Sequence, residues 1–150
     1  MAGTFTNLLY HIIFSTKHRT PMISAPLRAE LYPYIGGIMR GEGGKLLEIG
    51  GTLDHVHLVA WSRPDRALSD WLRLIKANSS KWANERGLIP DRFAWQEGYG
   101  AFSISESQLA DVRTYVQNQE EHHHQKSFQE EYLAFLQRHH IEYDERYIWE

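Results

Sequence analysis

The run Asp54-His55-Val56-His57-Leu58-Val59-Ala60-Trp61 constrains this chain more than any other stretch. Most of its positions are apolar, β-branched or aromatic, and it is entered through Gly50-Gly51-Thr52, so it reads as a β-strand. Side chains on a strand alternate between faces. His55 and His57 therefore project together, while Val56 and Leu58 point the opposite way. The repeat between them is about 6.5–7 Å, near enough for two imidazoles to share one metal ion. Taken alone, a His-x-His pair is more commonly two half-exposed sheet histidines with ordinary hydrogen bonds. The rest of the chain decides between the readings.

Before this strand, Leu8 to Ser15 reads as a first strand, apolar on both faces and hence central. It runs into a basic loop whose Lys17 and Arg19 suit a solvated turn or a phosphate contact. Ser24 can cap a helix with Pro26 in its first turn, and Leu27, Leu31, Ile35 and Ile38 give that helix an apolar face. Pro33 inside the pattern is expected to kink or divide it. Lys45 to Gly50 reads as a second strand, forming a hairpin with the histidine strand.

After Pro64, a helix carries Leu68, Trp71, Leu72, Ile75, Ser79, Trp82 and Ala83 at helical spacing and closes at Gly87. Arg73, Lys76 and Lys81 lie off that stripe, on a face that is solvated or DNA-facing. A Gly- and aromatic-rich loop, Phe93 to Gly100, precedes a short strand at Ala101–Ile104. Ser105 with Gln108 forms a capping box opening a helix with Leu109, Val112 and Val116 on its core side. Ser127 with Glu130 repeats the signature for a last helix, and the aromatic end from Ile141 to Trp149 is expected to pack rather than hang loose.

Strand, helix, strand, strand, helix, strand is the order of the α+β, ferredoxin-like split βαβ fold: an antiparallel sheet with two helices on one face. The core helices should take Val56 and Leu58, leaving His55 and His57 on the other face, with the helix from Ser105 the nearest element to lie across it. A length of 150 residues suits one domain, with a helical and aromatic extension from about residue 127.

Composition removes several classes. The absence of cysteine excludes disulfides and thiolate metal sites. No apolar run approaches the roughly 20 residues that cross a bilayer, and the N-terminus lacks signal-peptide character, so a cytoplasmic location is expected. The net charge of −3 argues against a general polyanion binder. It hides an asymmetry, with 12 Lys/Arg against 9 Asp/Glu in residues 1–100 and 4 against 10 in residues 101–150. A nucleic-acid surface is therefore expected on the first two-thirds.

The helix from Ser105 brings a tyrosine into play. Tyr115 and Gln119 are four residues apart and share a helix face. Tyr115 is either a ring packed at a helix–sheet boundary or part of a site. In the second case, two imidazoles and one amide oxygen make a three-ligand metal site with open positions, one helical turn from a phenol. Such a metal polarises a phosphate oxygen, and the phenolate can attack phosphorus to form a phosphotyrosine. A tyrosine with a free pKa of about 10 needs the metal's field or a basic neighbour, a role open to His122 or His123.

With these residues in place, the chain resembles the small single-tyrosine HUH transposases of bacterial insertion sequences, the IS-two-hundred type with its REP-associated relatives. The resemblance runs over nearly the whole chain. It is carried by Tyr10 to Lys17, Gly51 to Leu58, Ser79 to Trp82, Phe93 to Ser103 and Tyr115 to His123. It implies a metal-dependent single-stranded DNA transposase that cleaves and rejoins strands through a 5′-phosphotyrosine on Tyr115. His55, His57 and Gln119 would be the ligands of Mg²⁺ or Mn²⁺, the latter suiting imidazoles better.

The resemblance also implies a homodimer, often with the tyrosine helix shared between subunits, and DNA partners bearing hairpin ends. Lys17, Arg19, Arg73, Lys76 and Lys81 are the expected DNA contacts. The run His122-His123-His124 departs from the family pattern and offers a spare ligand. A catalytically silent nucleic-acid-binding module of the same fold is the alternative. A histidine-based phosphodiesterase for small nucleotides ranks last, because a second histidine motif is missing.

Overall fold

The computed structural model describes residues 3–123 and 126–150. Four strands, β1 (Leu8–Ser15), β2 (Lys45–Gly51), β3 (His55–Ser62) and β4 (Gly100–Ile104), form one sheet in the order β2-β3-β1-β4, with every neighbouring pair antiparallel. With helices α1 (Ala25–Gly41) and α2 (Leu68–Arg86) between the strands, this is the ferredoxin-like arrangement. The two central strands are buried over almost their whole length.

On one face, Ile12 and Phe14 of β1 and Val56, Leu58 and Ala60 of β3 pack against α1 and α2. Each such buried Leu, Ile or Phe contributes about 1.5–3 kcal/mol through the hydrophobic effect. The α1 stripe is Leu27, Leu31, Ile35 and Met39, all fully buried, whereas Ile38 is only partly so. Ser24 accepts from the Leu27 N–H as the cap. Pro33 does not divide α1, which runs through it unbroken. Pro33 and Ala29, whose carbonyl lost its donor, both lie on the exposed side, where water can satisfy that carbonyl. On α2, the buried Ser79 hydroxyl accepts from Trp95 Nε1 at 2.9 Å, and Asn84 holds the Phe93 backbone through both its N–H and its carbonyl.

The opposite face is covered by three further helices, α3 (Leu109–Gln117), α4 (Gln119–His122) and α5 (Phe128–Arg138). The Ser105–Gln108 capping box precedes α3, and the Ser127 hydroxyl accepts from Glu130 N–H to cap α5. Val116 of α3 packs with Leu9, Val59 and Ile104. Phe128, Tyr132 and Leu136 of α5 pack with Ile13 and Phe102. The aromatic end folds back on that second cluster through Ile148 and Trp149.

α3 approaches the sheet closely because β2 offers Gly50 beneath it: a Cβ there would lie 2.0 Å from the Val116 carbonyl oxygen. Tyr115 and Gln119 are not on one continuous helix, since Asn118 leaves helical geometry and separates α3 from α4. Among the described residues, no helix is long and apolar enough to cross a membrane.

Candidate metal centre and nucleophile

His55 and His57 point to the face away from α1 and α2, and both are fully buried rather than half-exposed. Burial of a polar ring demands partners. His55 Nδ1 lies 2.8 Å from Asp54 Oδ1 and 3.1 Å from the Thr52 hydroxyl. Burial opposes ionisation of Asp54, but its hydrogen bonds to His55 and Thr52 prevail and hold its carboxyl below the usual range. Since a carboxylate only accepts, Nδ1 of His55 carries the proton, and Nε2 presents a lone pair to Gln119 Oε1, 3.2 Å away.

His123 has the same polarity. Its Nδ1 faces the Lys126 carbonyl, and its Nε2 faces Gln119 Oε1 at 3.0 Å and Glu131 Oε1 at 3.3 Å. The Gln119 amide is oriented by Nε2–H donation to the Tyr115 carbonyl at 3.4 Å.

With neutral imidazoles, this geometry sets acceptor against acceptor. The lone pairs of His55 Nε2, His123 Nε2, Gln119 Oε1 and Glu131 Oε1 converge on one point. Such a cluster calls for a proton or a cation at its centre. Burial lowers the pKa of His123, but its contact with the Glu131 carboxylate prevails and raises it. Ligand atoms of His55, His57, His123 and Glu131 all lie within 4.8 Å of one another, a group fit to hold a metal ion. Imidazole and carboxylate donors in this number suit a borderline divalent ion.

Glu131 joins the metal group to the phenol. Its Oε1 is 2.8 Å from His57 Nε2, and its Oε2 accepts from the Tyr115 hydroxyl. Burial would raise its pKa, but the bonds from His123, His57 and Tyr115 hold it far below the usual carboxylate range. Conversely, burial and the Glu131 carboxylate push the Tyr115 phenol well above its ordinary value.

Behind His57 lies a further partner. His57 Nδ1 is 2.8 Å from His11 Nε2 across β1 and β3. While His57 Nε2 donates to Glu131, its Nδ1 accepts from His11. A metal on Nε2 would reverse the tautomer, so that Nδ1–H donates to His11. His11 thus stands where the orienting partner of a metal-bound histidine stands. Burial depresses His57 to about 4 and His11 to about 3, keeping both rings neutral at pH 7.

The sequence readings meet this geometry unevenly. His55, His57, Gln119 and Tyr115 come together within one chain, with the His57 and Tyr115 ring centroids 5.9 Å apart. His123 sits among the ligand atoms. His124 and the side chain of His122 lie outside the described residues. Sequence reasoning missed Glu131 and His11. Glu131 had a signal, as a carboxylate inside the buried α5 stripe of Phe128, Tyr132 and Leu136. His11 shares a face with His57 only through the β1–β3 register, which pairs Ile13 with His57.

The basic residues do not gather at this site. Arg73, Lys76 and Lys81 line a groove of about 900 Å³ along α2, on the far side of the sheet from the histidines. Lys76 is half-buried and donates to the Glu97 and Gly98 carbonyls at 2.9 and 2.8 Å, and its burial lowers its pKa to about 8. It ties down the loop before β4. Arg19 lies over the Trp149 ring, 5.4 Å from its centroid, and Lys17 is exposed.

Comparison with known proteins places the chain in a family. Residues 4–119 match a family model described as "Transposase IS200 like". The ISDra2 transposase TnpA of Deinococcus radiodurans is 22% identical over 122 residues, covering 78% of this chain and 87% of that protein. The transposase for insertion sequence element IS200 of Salmonella typhimurium is 22% identical over 124 residues, covering 79% and 81%. The fold is shared with a REP-associated tyrosine transposase solved bound to a REP hairpin, at a TM-score of 0.54 and 16% identity over 77% of this chain and 67% of that one. A crystal structure from Deinococcus radiodurans R1, also described as a transposase, gives a TM-score of 0.64 at 23% identity over 79% and 95%. The family match covers residues 4–119, most of the chain: this protein belongs to the IS200-like transposase family.

Proposed function

We propose that this protein is a metal-dependent single-stranded DNA transposase in which Tyr115 cleaves and rejoins strands through a 5′-phosphotyrosine. One observation carries the reading: a single carboxylate, Glu131, bonds the Tyr115 hydroxyl with one oxygen and His57 Nε2 with the other. Nucleophile and ligand cluster are thereby assembled in the same chain. His55, His57 and Gln119 would hold the ion, with His123 and Glu131 adding to the set. Mn²⁺ suits these donors better than Mg²⁺. When bound, a divalent ion polarises a phosphate oxygen, orients the scissile bond and offsets the negative charge that holds the phenol protonated.

The chain's own residues supply the remainder. Tyr115 Oη attacks phosphorus, the P–O3′ bond breaks, and the departing strand leaves as a free 3′-hydroxyl. The new link is itself a phosphodiester. A 3′-hydroxyl can therefore reverse the attack and restore the phenol without external energy. Asp54 and Thr52 fix the His55 ring, and His11 fixes His57. The DNA partner is single-stranded with hairpin ends, as the REP hairpin on the structural neighbour supports. Lys17, Arg19, Arg73 and Lys81 are offered as outer backbone contacts. A homodimer would carry two such centres, each complete in its own subunit.

The test is covalent capture. Wild-type protein incubated with hairpin-bearing single-stranded DNA and Mn²⁺ should give a gel-stable adduct that is lost in chelator and in Tyr115→Phe. Mixing Tyr115→Phe with His55→Ala protein should not restore it. An adduct of equal yield from Tyr115→Phe removes the proposed nucleophile, and binding without an adduct under any metal leaves only a binding module.

A further inference from the structure

We propose that the scissile strand reaches Tyr115 through the cleft between α3 and α5, where Lys126 and Arg138 hold its phosphates and Phe135 seats a base. The inference rests on the transposase reading and adds the route by which substrate meets the phenol. A cavity of about 240 Å³ opens there, with Tyr115 and Glu131 in its wall. Its volume is too small for a duplex.

Its electrostatics pose a problem that two residues solve. Two carboxyl side chains, Glu131 and Asp111, line this cleft, so an incoming phosphate meets acidic groups. Lys126 and Arg138 are the cations lining this cleft, and neither makes an ion pair among the described residues. Elsewhere the arginines are largely spent on carboxylates, as in Arg28–Glu120 and Arg63–Asp65. The Arg138 guanidinium rests over the Phe135 ring at 5.5 Å from its centroid. Stacking of this kind leaves the planar N–H fork free for phosphate.

Phe135 is part of the same wall. It is partly exposed, and its ring meets His11 edge-on at 5.0 Å and Tyr115 at 5.8 Å. Cations that track a backbone beside an aromatic platform are how single strands are held without sequence readout. Lys126, Phe135 and Arg138 all fall after residue 119, where the family match ends. The extension therefore contributes a substrate channel. This adds to the footprint a segment on Tyr115's own side of the sheet, opposite the α2 groove.

The experiment uses the full chain carrying Tyr115→Phe, so that binding is read without covalent capture. Anisotropy of a labelled oligothymidylate of about 16 nucleotides is followed against salt. Adding Lys126→Ala and Arg138→Ala should weaken binding and flatten the log–log salt slope by about 1.4, since each single-strand phosphate contact contributes about 0.7. Arg138 is exposed and Lys126 partly so, and circular dichroism should confirm that the fold is retained. Charge reversal, Lys126→Glu with Arg138→Glu, should weaken binding further. Iodouracil cross-links should map to residues 126–138. If Tyr115→Phe protein binds the probe but the alanine pair changes neither affinity nor slope, the cleft is not the channel and the transposase reading survives. If neither wild type nor Tyr115→Phe binds the probe or a hairpin-bearing single strand at low salt, the transposase reading itself falls, and the channel with it.

Discussion

Replacing Gly50 with alanine tests the geometry at a position that offers no reacting group of its own. Gly50 pairs with His57 across β2 and β3 and lies under α3. A Cβ at Gly50 would sit 2.0 Å from the Val116 carbonyl oxygen, where ordinary contact begins near 3.4 Å. The obstacle is helix backbone, which cannot rotate aside as a long side chain would. α3 must therefore lift from the sheet by more than 1 Å. Tyr115 precedes Val116, so the phenol moves with it and loses its register against His57 and Glu131. Overpacking of this kind costs about 1–3 kcal/mol of stability. A misplacement of about 1 Å costs roughly 100-fold in rate. The expected outcome is an adduct rate about 100-fold below wild type, with single-strand binding preserved and the melting temperature lowered. A Gly50→Ala protein with a rate within about threefold of wild type and unchanged stability would refute the argument that Gly50 seats the tyrosine helix.

His11→Phe keeps the ring volume and removes the partner of His57 Nδ1, so Mn²⁺ affinity measured by calorimetry should fall about 10–100-fold; unchanged affinity would show that His11 does not orient the ligand. Stability in chelator should fall as pH drops from 6.5 toward 5. Burial holds His57 near 4 and His11 near 3, below their unfolded value of about 6.5, so the unfolded chain binds more protons throughout that window. Each ring contributes a slope of up to about 1.4 kcal/mol per pH unit, and His11→Phe should remove one such contribution in urea melts. His123, whose pKa is raised, acts with the opposite sign and loses its contribution only as pH rises through its folded value.

The fold was legible because its signals are local and mutually consistent. Alternation in β3 assigned Val56 and Leu58 to one face and the histidines to the other, and Ser24, Ser105 and Ser127 marked helix starts that the structure places as caps. Pro33 misled as a sign of division, because water can satisfy the carbonyl it leaves free on the exposed side of α1. The centre was only half legible. Its histidines, tyrosine and glutamine follow a spacing that can be read along the chain. Glu131 and His11 enter through contacts between elements, α5 against β3 and β1 against β3, whose register no local pattern encodes. Lys76 shows the same limit: its bonds to the Glu97 and Gly98 carbonyls depend on where the loop before β4 folds, which no local pattern encodes.

Anomalous diffraction from crystals grown with Mn²⁺ most directly measures whether one cation sits among the buried imidazoles beside a phenol of the same chain. The expected result is one strong peak bonded to Nε2 of both His55 and His57, with Tyr115 of that same subunit next to it. A peak elsewhere, or none at saturating Mn²⁺, would contradict it.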